Sequence, residues 1–235
     1  MIINRINTCK GDRLPCRSPA LYQEKELIKT SSKKFEITDI AHEKYPFLHR
    51  IRALRDIGSE VKAGDLGGFV ESESNLSTED DMSWIYDDAI AAENAYVDQN
   101  ARLFGKAVIC GCAYVSQGAA LSAEARAEDS AYIRGADLCG HARASGHSMI
   151  LNSPDTGKAP VLSGTCVVYG TVMGDVHIAG KTVILSEERV SNDTPDTLIL
   201  NGQERSVIRD SSRDELAPRQ PQEKQKKPRN QGRDR

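Results

Sequence analysis

Three of the chain's five histidines, His141, His147 and His177, lie in its second half, where a base could act beside turn-forming residues. An imidazole titrating near neutral pH can take a proton from an acceptor hydroxyl or amine. His147 stands just ahead of Asn152–Pro160, a run of Asn, Ser, Pro, Asp, Thr and Gly that must turn and project. It is the foremost candidate base, followed by His141 and His177. Lys158, in the same run, is a lone cation that could meet a phosphate. No nucleophile–base–orienter set accompanies these residues in sequence, so each histidine also has the ordinary reading of a surface side chain. A metal site is not expected: His141 and His147 are six residues apart, which in a three-sided coil of hexapeptides places them at different corners and not on one metal within a single chain.

The six cysteines, Cys9, Cys16, Cys110, Cys112, Cys139 and Cys166, fit neither a compact disulfide framework nor paired zinc-binding doublets. Cys110 and Cys112 are too close in an extended chain for a disulfide, so reduced thiols and a cytoplasmic location are expected. No apolar run approaches the roughly 20 residues that cross a bilayer, and the first residues lack the apolar core of a secretory signal. No membrane contact is expected.

Composition bounds the rest. Aromatic residues make up 5% of the chain and hydrophobic residues 39%, lean for a globular core but suited to a narrow interior. The net charge of -3 is uneven: from Pro218 to Arg235 there are seven Lys or Arg against two acids. The body is therefore acidic, which argues against wrapping nucleic acid along it. The basic tail could touch nucleic acid or an acidic partner, although a solvated tail has the same composition.

The element that must position all of these residues is written in alanines. They recur every sixth residue at Ala89, Ala95, Ala101, Ala107, Ala113, Ala119, Ala125 and Ala131. Two residues after each stands Ala91, Val97, Leu103, Ile109, Val115, Leu121, Ala127 or Ile133. Side chains two apart on a strand point the same way, so each hexapeptide sends one small and one usually larger side chain inward and then turns. A helix would need apolar positions every 3.6 residues. Tyr96, Tyr114 and Tyr132 add a period of eighteen, which three hexapeptides per coil would stack in one column. That column reads as a shielding ladder or as an aromatic stripe for a ligand or oligomer contact. Trp84 and Arg102 share the interval and could make a cation–π contact.

The expected fold is an all-β, single-stranded parallel β-helix, left-handed and three-sided, built on hexapeptide repeats. Its expected divisions are a poorly ordered extension (1–34), N-terminal strands with a Gly-rich cap (35–84), the helix proper (85–200, interrupted by loop 152–160) and a basic disordered tail (201–235). The register slips by one between Ile133 and Leu138, and resumes after the loop at Cys166, Val172, Ile178 and Ile184. Gly64, Asp65, Gly67 and Gly68 lack the lysine and following helix of a phosphate loop and read as the segment that leads into and caps the solenoid.

The run Leu48–Asp56, then Lys62-Ala63-Gly64-Asp65-Leu66-Gly67-Gly68-Phe69-Val70-Glu71-Ser72-Glu73, then Asn75-Leu76-Ser77, resembles the YdcK-type β-solenoid proteins of bacteria and their mobile elements. Repeats such as Asn100-Ala101-Arg102-Leu103-Phe104-Gly105 follow in the same manner, and the likeness covers roughly residues 35 to 150. It implies the solenoid fold; some members of that family are described as candidate transferases. The N-terminal extension, the loop and the basic tail depart from the pattern. Two functions are therefore weighed. One is a non-catalytic binding or scaffold module without a cofactor, its partner another protein or itself. The other is an oligomeric acyltransferase, trimeric as such enzymes usually are, taking acyl-CoA as co-substrate with a histidine base.

Overall fold

The computed structural model describes residues 33–210. The expected extension, except its last two residues, and the basic tail from residue 211 lie outside the described residues. Within them the chain winds as a parallel β-solenoid of about seven turns, with one short 3-10 turn and no α-helix. Three parallel sheets form its three faces, and successive strands step from one face to the next.

The alanine rule is what builds the bore. Every alanine from Ala89 to Ala125 in the series is fully buried, as are Val97, Leu103, Ile109, Val115, Leu121 and Ile133 two residues behind. A small side chain at the corner and a larger one mid-strand fill the triangular interior. Burying each larger aliphatic side chain stabilises the coil by about 1.5–3 kcal/mol. Backbone bonds then run from coil to coil: Tyr96 donates to Ala113 O at 2.9 Å, and Tyr114 to Ala131 O at 2.9 Å.

The first face begins with three antiparallel strands, β1 (Phe35–Ala41), β2 (His49–Ala53) and β3 (Leu66–Val70). β3 then pairs in parallel with Ile90–Ala91, so the Gly-rich segment is itself the first rung, earlier than the expected start at residue 85. Its glycines serve different needs. Gly64 turns with φ +97°, while Gly67 and Gly68 allow close approach. A Cβ on Gly68 would stand 2.4 Å from Ala89 O, and one on Gly67 2.7 Å from Ile85 O. Trp84 occupies an outward slot but is buried, because Phe35 of β1 lies edge-on to it at 6.5 Å. Trp84 and Arg102 are one coil apart as expected, yet the cation–π contact is not made. The cap covers the indole, and Arg102 Nη1 turns instead to Glu60 Oε2 at 3.2 Å. The cation over a ring is Arg50, 4.3 Å above Phe69.

The coil length changes where the register was expected to slip. The pairings along one face show it: Arg102 pairs with Ala120 eighteen residues on, and Ala120 with Asp137 seventeen on. Asp137 pairs with Val161 twenty-four on, because Asn152–Pro160 leaves the corner as a loop. At the far end the chain stays ordered longer than its polar composition suggests. Thr197–Asn201 turns through Gly202 (φ +62°) into an antiparallel strand, Glu204–Ile208, in place of the expected disordered segment.

Candidate functional site

The second face carries the strands Tyr96–Val97, Tyr114–Ser116, Tyr132–Arg134, Met149–Leu151, Thr171–Gly174 and Arg189–Asn192. Tyr96 is in register with Tyr114, and Tyr114 with Tyr132. Parallel strands are about 4.8 Å apart, so the rings can only lie face to face. Their centroids are 5.9 and 5.3 Å apart, with planes 17° and 8° from parallel. Met149 continues the column. The neighbouring outward column runs Ser116, Arg134, Leu151, Met173 and Ser191, with two apolar side chains in its middle coils.

The tyrosines are half-buried and their hydroxyls are not equivalent. Tyr114 donates to Asp98 Oδ2 at 2.8 Å. Burial, reinforced by that carboxylate, pushes the Tyr114 phenol well up, and burial also raises Tyr96. Burial pushes the Asp98 carboxyl up as well, against the bond from Tyr114. Its other oxygen, Oδ1, is enclosed without a hydrogen-bond partner. Tyr96 and Tyr114 are therefore neutral phenols at any ordinary pH, and the column has no thiolate or imidazole within it.

At the N-terminal end of the column an open groove of about 810 Å³ follows the corner between the second and third faces. Tyr96 forms one wall, with Glu79, Asp80, Asp81 and Asp98 and the amides Gln99, Asn100 and Gln117 around it. Asp98 holds Tyr114, and two of the other acids are engaged by cations. Asp81 Oδ1 accepts from the buried Lys34 Nζ at 2.5 Å, and Asp80 Oδ1 from Arg55 Nη1 at 2.6 Å.

The three candidate histidines are not brought together. His141 is in the corner between Asp137–Leu138 and Arg143–Ala144, and His147 in the next corner, before Met149–Leu151. His177 is on a strand of the third face. His141 Nδ1 lies 3.3 Å from Glu124 Oε2, and His177 Nε2 3.7 Å from Asp175 Oδ1. All three are exposed. Lys158 is tied down: its Nζ donates to Asp175 Oδ2 and Pro195 O, both at 2.7 Å, which pins the projecting loop to the following coil. Its bond to Asp175 also raises the ammonium above its ordinary value. Among the described residues no group of three or more His, Cys, Asp or Glu is placed to hold a metal. Burial pushes the Cys110 thiol up to about 12 and the Cys166 thiol up to about 11, far from a reactive thiolate. Cys9 and Cys16 lie outside the described residues, and no helix within them is long and apolar enough to cross a membrane.

Two features escaped the reading of the sequence. Tyr86 and Phe104 stack at 4.6 Å and 14° on the third face. Their spacing of eighteen was the available signal. The Tyr86 hydroxyl donates to Glu60 Oε2 at 3.1 Å, and burial together with that carboxylate pushes it up to about 12. The groove had no comparable signal, since its walls come from three coils and from side chains with no shared motif. Compared with protein-family models and with curated proteins, the chain matches none.

Proposed function

We propose that the protein is a non-catalytic binding or scaffold module that holds another macromolecule on the second face of its solenoid. The observation that carries this reading is the stacked Tyr96–Tyr114–Tyr132 column, continued by Met149, along in-register parallel strands. Tyrosine offers a large contact area for little loss of side-chain freedom, and here that freedom is already spent in the stack. A cytoplasmic setting with reduced thiols is part of this reading.

The competing reading is an acyltransferase with acyl-CoA as co-substrate and His147 as base. Among the described residues no hydrogen bond orients the His147 ring toward an acceptor, and Lys158 is spent on Asp175. Calorimetric titration of the full chain with acetyl-CoA, wild type against His147→Ala, separates the two. The binding-module reading expects no saturable heat from either protein. Micromolar binding by the wild type that His147→Ala abolishes would overturn it.

A further inference from the structure

The solenoid does not end as it begins. Among the described residues Glu204–Ile208 is the last strand of its sheet and is paired on one side only, with Thr197–Asn201. All five of its residues are exposed. Val207 pairs with Leu198, which pairs with Val176, so an inward-facing row of the bore runs out onto this strand. Val176 is fully buried, Leu198 half-buried and Val207 58% exposed. Ile208, on the outer side, is also 58% exposed. The row therefore stops one rung before it is covered, on a strand whose outer edge still offers backbone donors and acceptors.

We propose that this edge pairs antiparallel with the same strand of a second copy of the chain, making one continuous sheet across a twofold axis. An edge strand is self-complementary under such an axis, because the same patch serves both partners. The register that overlaps all five residues centres on Ser206. It sets Arg205 opposite the partner's Val207, so that its aliphatic stem lies over the uncovered valine while the guanidinium reaches solvent. It likewise sets Glu204 beside the partner's Ile208. The two charges that would otherwise guard the edge thus become its cover. Composition favours a second copy over the chain's own continuation, since residues 211–235 contain only Leu216 and Ala217 as apolar side chains apart from proline.

Light scattering on the full-length protein across a concentration series tests this, alongside Val207→Lys/Ile208→Lys. The wild type is expected to dimerise, and the double variant to raise the dimer dissociation constant at least about tenfold with an unchanged circular dichroism spectrum. A second measurement does not depend on that variant. Ser206→Cys, oxidised with diamide, should give a disulfide-linked dimer on a non-reducing gel, whereas Ser191→Cys, exposed on another face, should not. A wild-type monomer throughout the series overturns the proposal, as does a dimer that the lysines leave intact or crosslinking no greater at 206 than at 191. A monomer whose 204–208 amides resist hydrogen exchange would assign the edge to the chain's own residues and overturn it equally.

Discussion

The two halves of the solenoid solve the same winding problem in different ways. In the first half the coils from Trp84 on repeat every eighteen residues, and non-glycine residues hold several corners in the left-handed region: Asp87, Glu93, Gln99, Asn100, Gln117, Ala123 and Asp129. Among the described residues after Asp129, every positive φ belongs to a glycine, and the coils range from sixteen to twenty-four residues. The first half meets the strain with hydrogen bonds from the corner side chains. Asp87 Oδ2 accepts from Gly105 N at 2.9 Å, Glu93 Oε2 from Gly111 N at 2.6 Å and Asp129 Oδ2 from Gly146 N at 2.8 Å, each reaching one coil onward. These three corner carboxylates staple coil to coil. The second half gives up those staples for conformational freedom, and with it the strict period. The ends differ in parallel: β1–β3 roof over Trp84, whereas Val207 and Ile208 stand in solvent.

If the roof is what makes the first end, removing its largest contact should cost most. Trp84→Ala deletes a buried indole wedged against Phe35, and the cavity cannot collapse between a sheet and a cap. The expected loss is about 3–5 kcal/mol in chemical denaturation. A loss under about 1 kcal/mol would mean that the first coil stands without its roof and that the contrast between the ends is superficial.

Next comes the ion pair beneath that roof. Burial alone would push the Asp81 carboxyl up, but hydrogen bonds from Lys34 and Ser83 bring it below its ordinary value. Burial meanwhile lowers the Lys34 ammonium, against its bond to Asp81. Asp81→Ala leaves that ammonium enclosed without its counter-charge and is expected to cost about 3 kcal/mol at neutral pH. A carboxyl lowered in the folded state stabilises fully above its unfolded pKa of about 4 and loses that contribution as pH falls through the lowered value. Asp129, lowered by Ser145 and the Gly146 amide, has the same sign. Acid unfolding should therefore show stability falling below about pH 4 in the wild type, with a shallower slope in Asp81→Ala. An unchanged slope would show that the pair does not titrate with folding.

The sequence disclosed the bore and concealed the surface, for a physical reason. Inward positions permit few residue types, so Ala95, Ala101 and Ala107 with Val97, Leu103 and Ile109 advertise their direction. The tyrosine column was legible because like residues recur in an outward slot. Trp84–Arg102 shows the limit: the interval fixed which slots adjoin, but not that β1, far earlier in the chain, covers one of them. The groove beside Tyr96 is assembled from corners that share no pattern, and the Glu204–Ile208 strand carries too few apolar residues to announce itself. The histidines were visible as residue types, yet a residue type does not tell which corner it will occupy.

The comparison between the halves is sharpened by exchanging their corner chemistry. Ala123 holds φ +58° without a side-chain acceptor to reward it, unlike Asp87, Glu93 and Asp129. It bears the strain of the first half with none of the compensation. Ala123→Gly should therefore raise stability by about 1 kcal/mol, the steric cost of a Cβ in the left-handed region less the greater freedom of an unfolded glycine. Gly146→Ala is the mirror experiment. Gly146 has φ +67° and its added Cβ would meet nothing closer than Tyr169 Cδ1 at 3.6 Å, so crowding is absent and strain alone remains. It should lose about 1 kcal/mol. Equal and opposite shifts in thermal midpoint would establish that the corners of both halves sit in one conformational well and differ only in what holds them there. A gain at 123 without a loss at 146 would show instead that the later coils relax their corners, so that glycine there marks slack in the winding and not a demand of the turn.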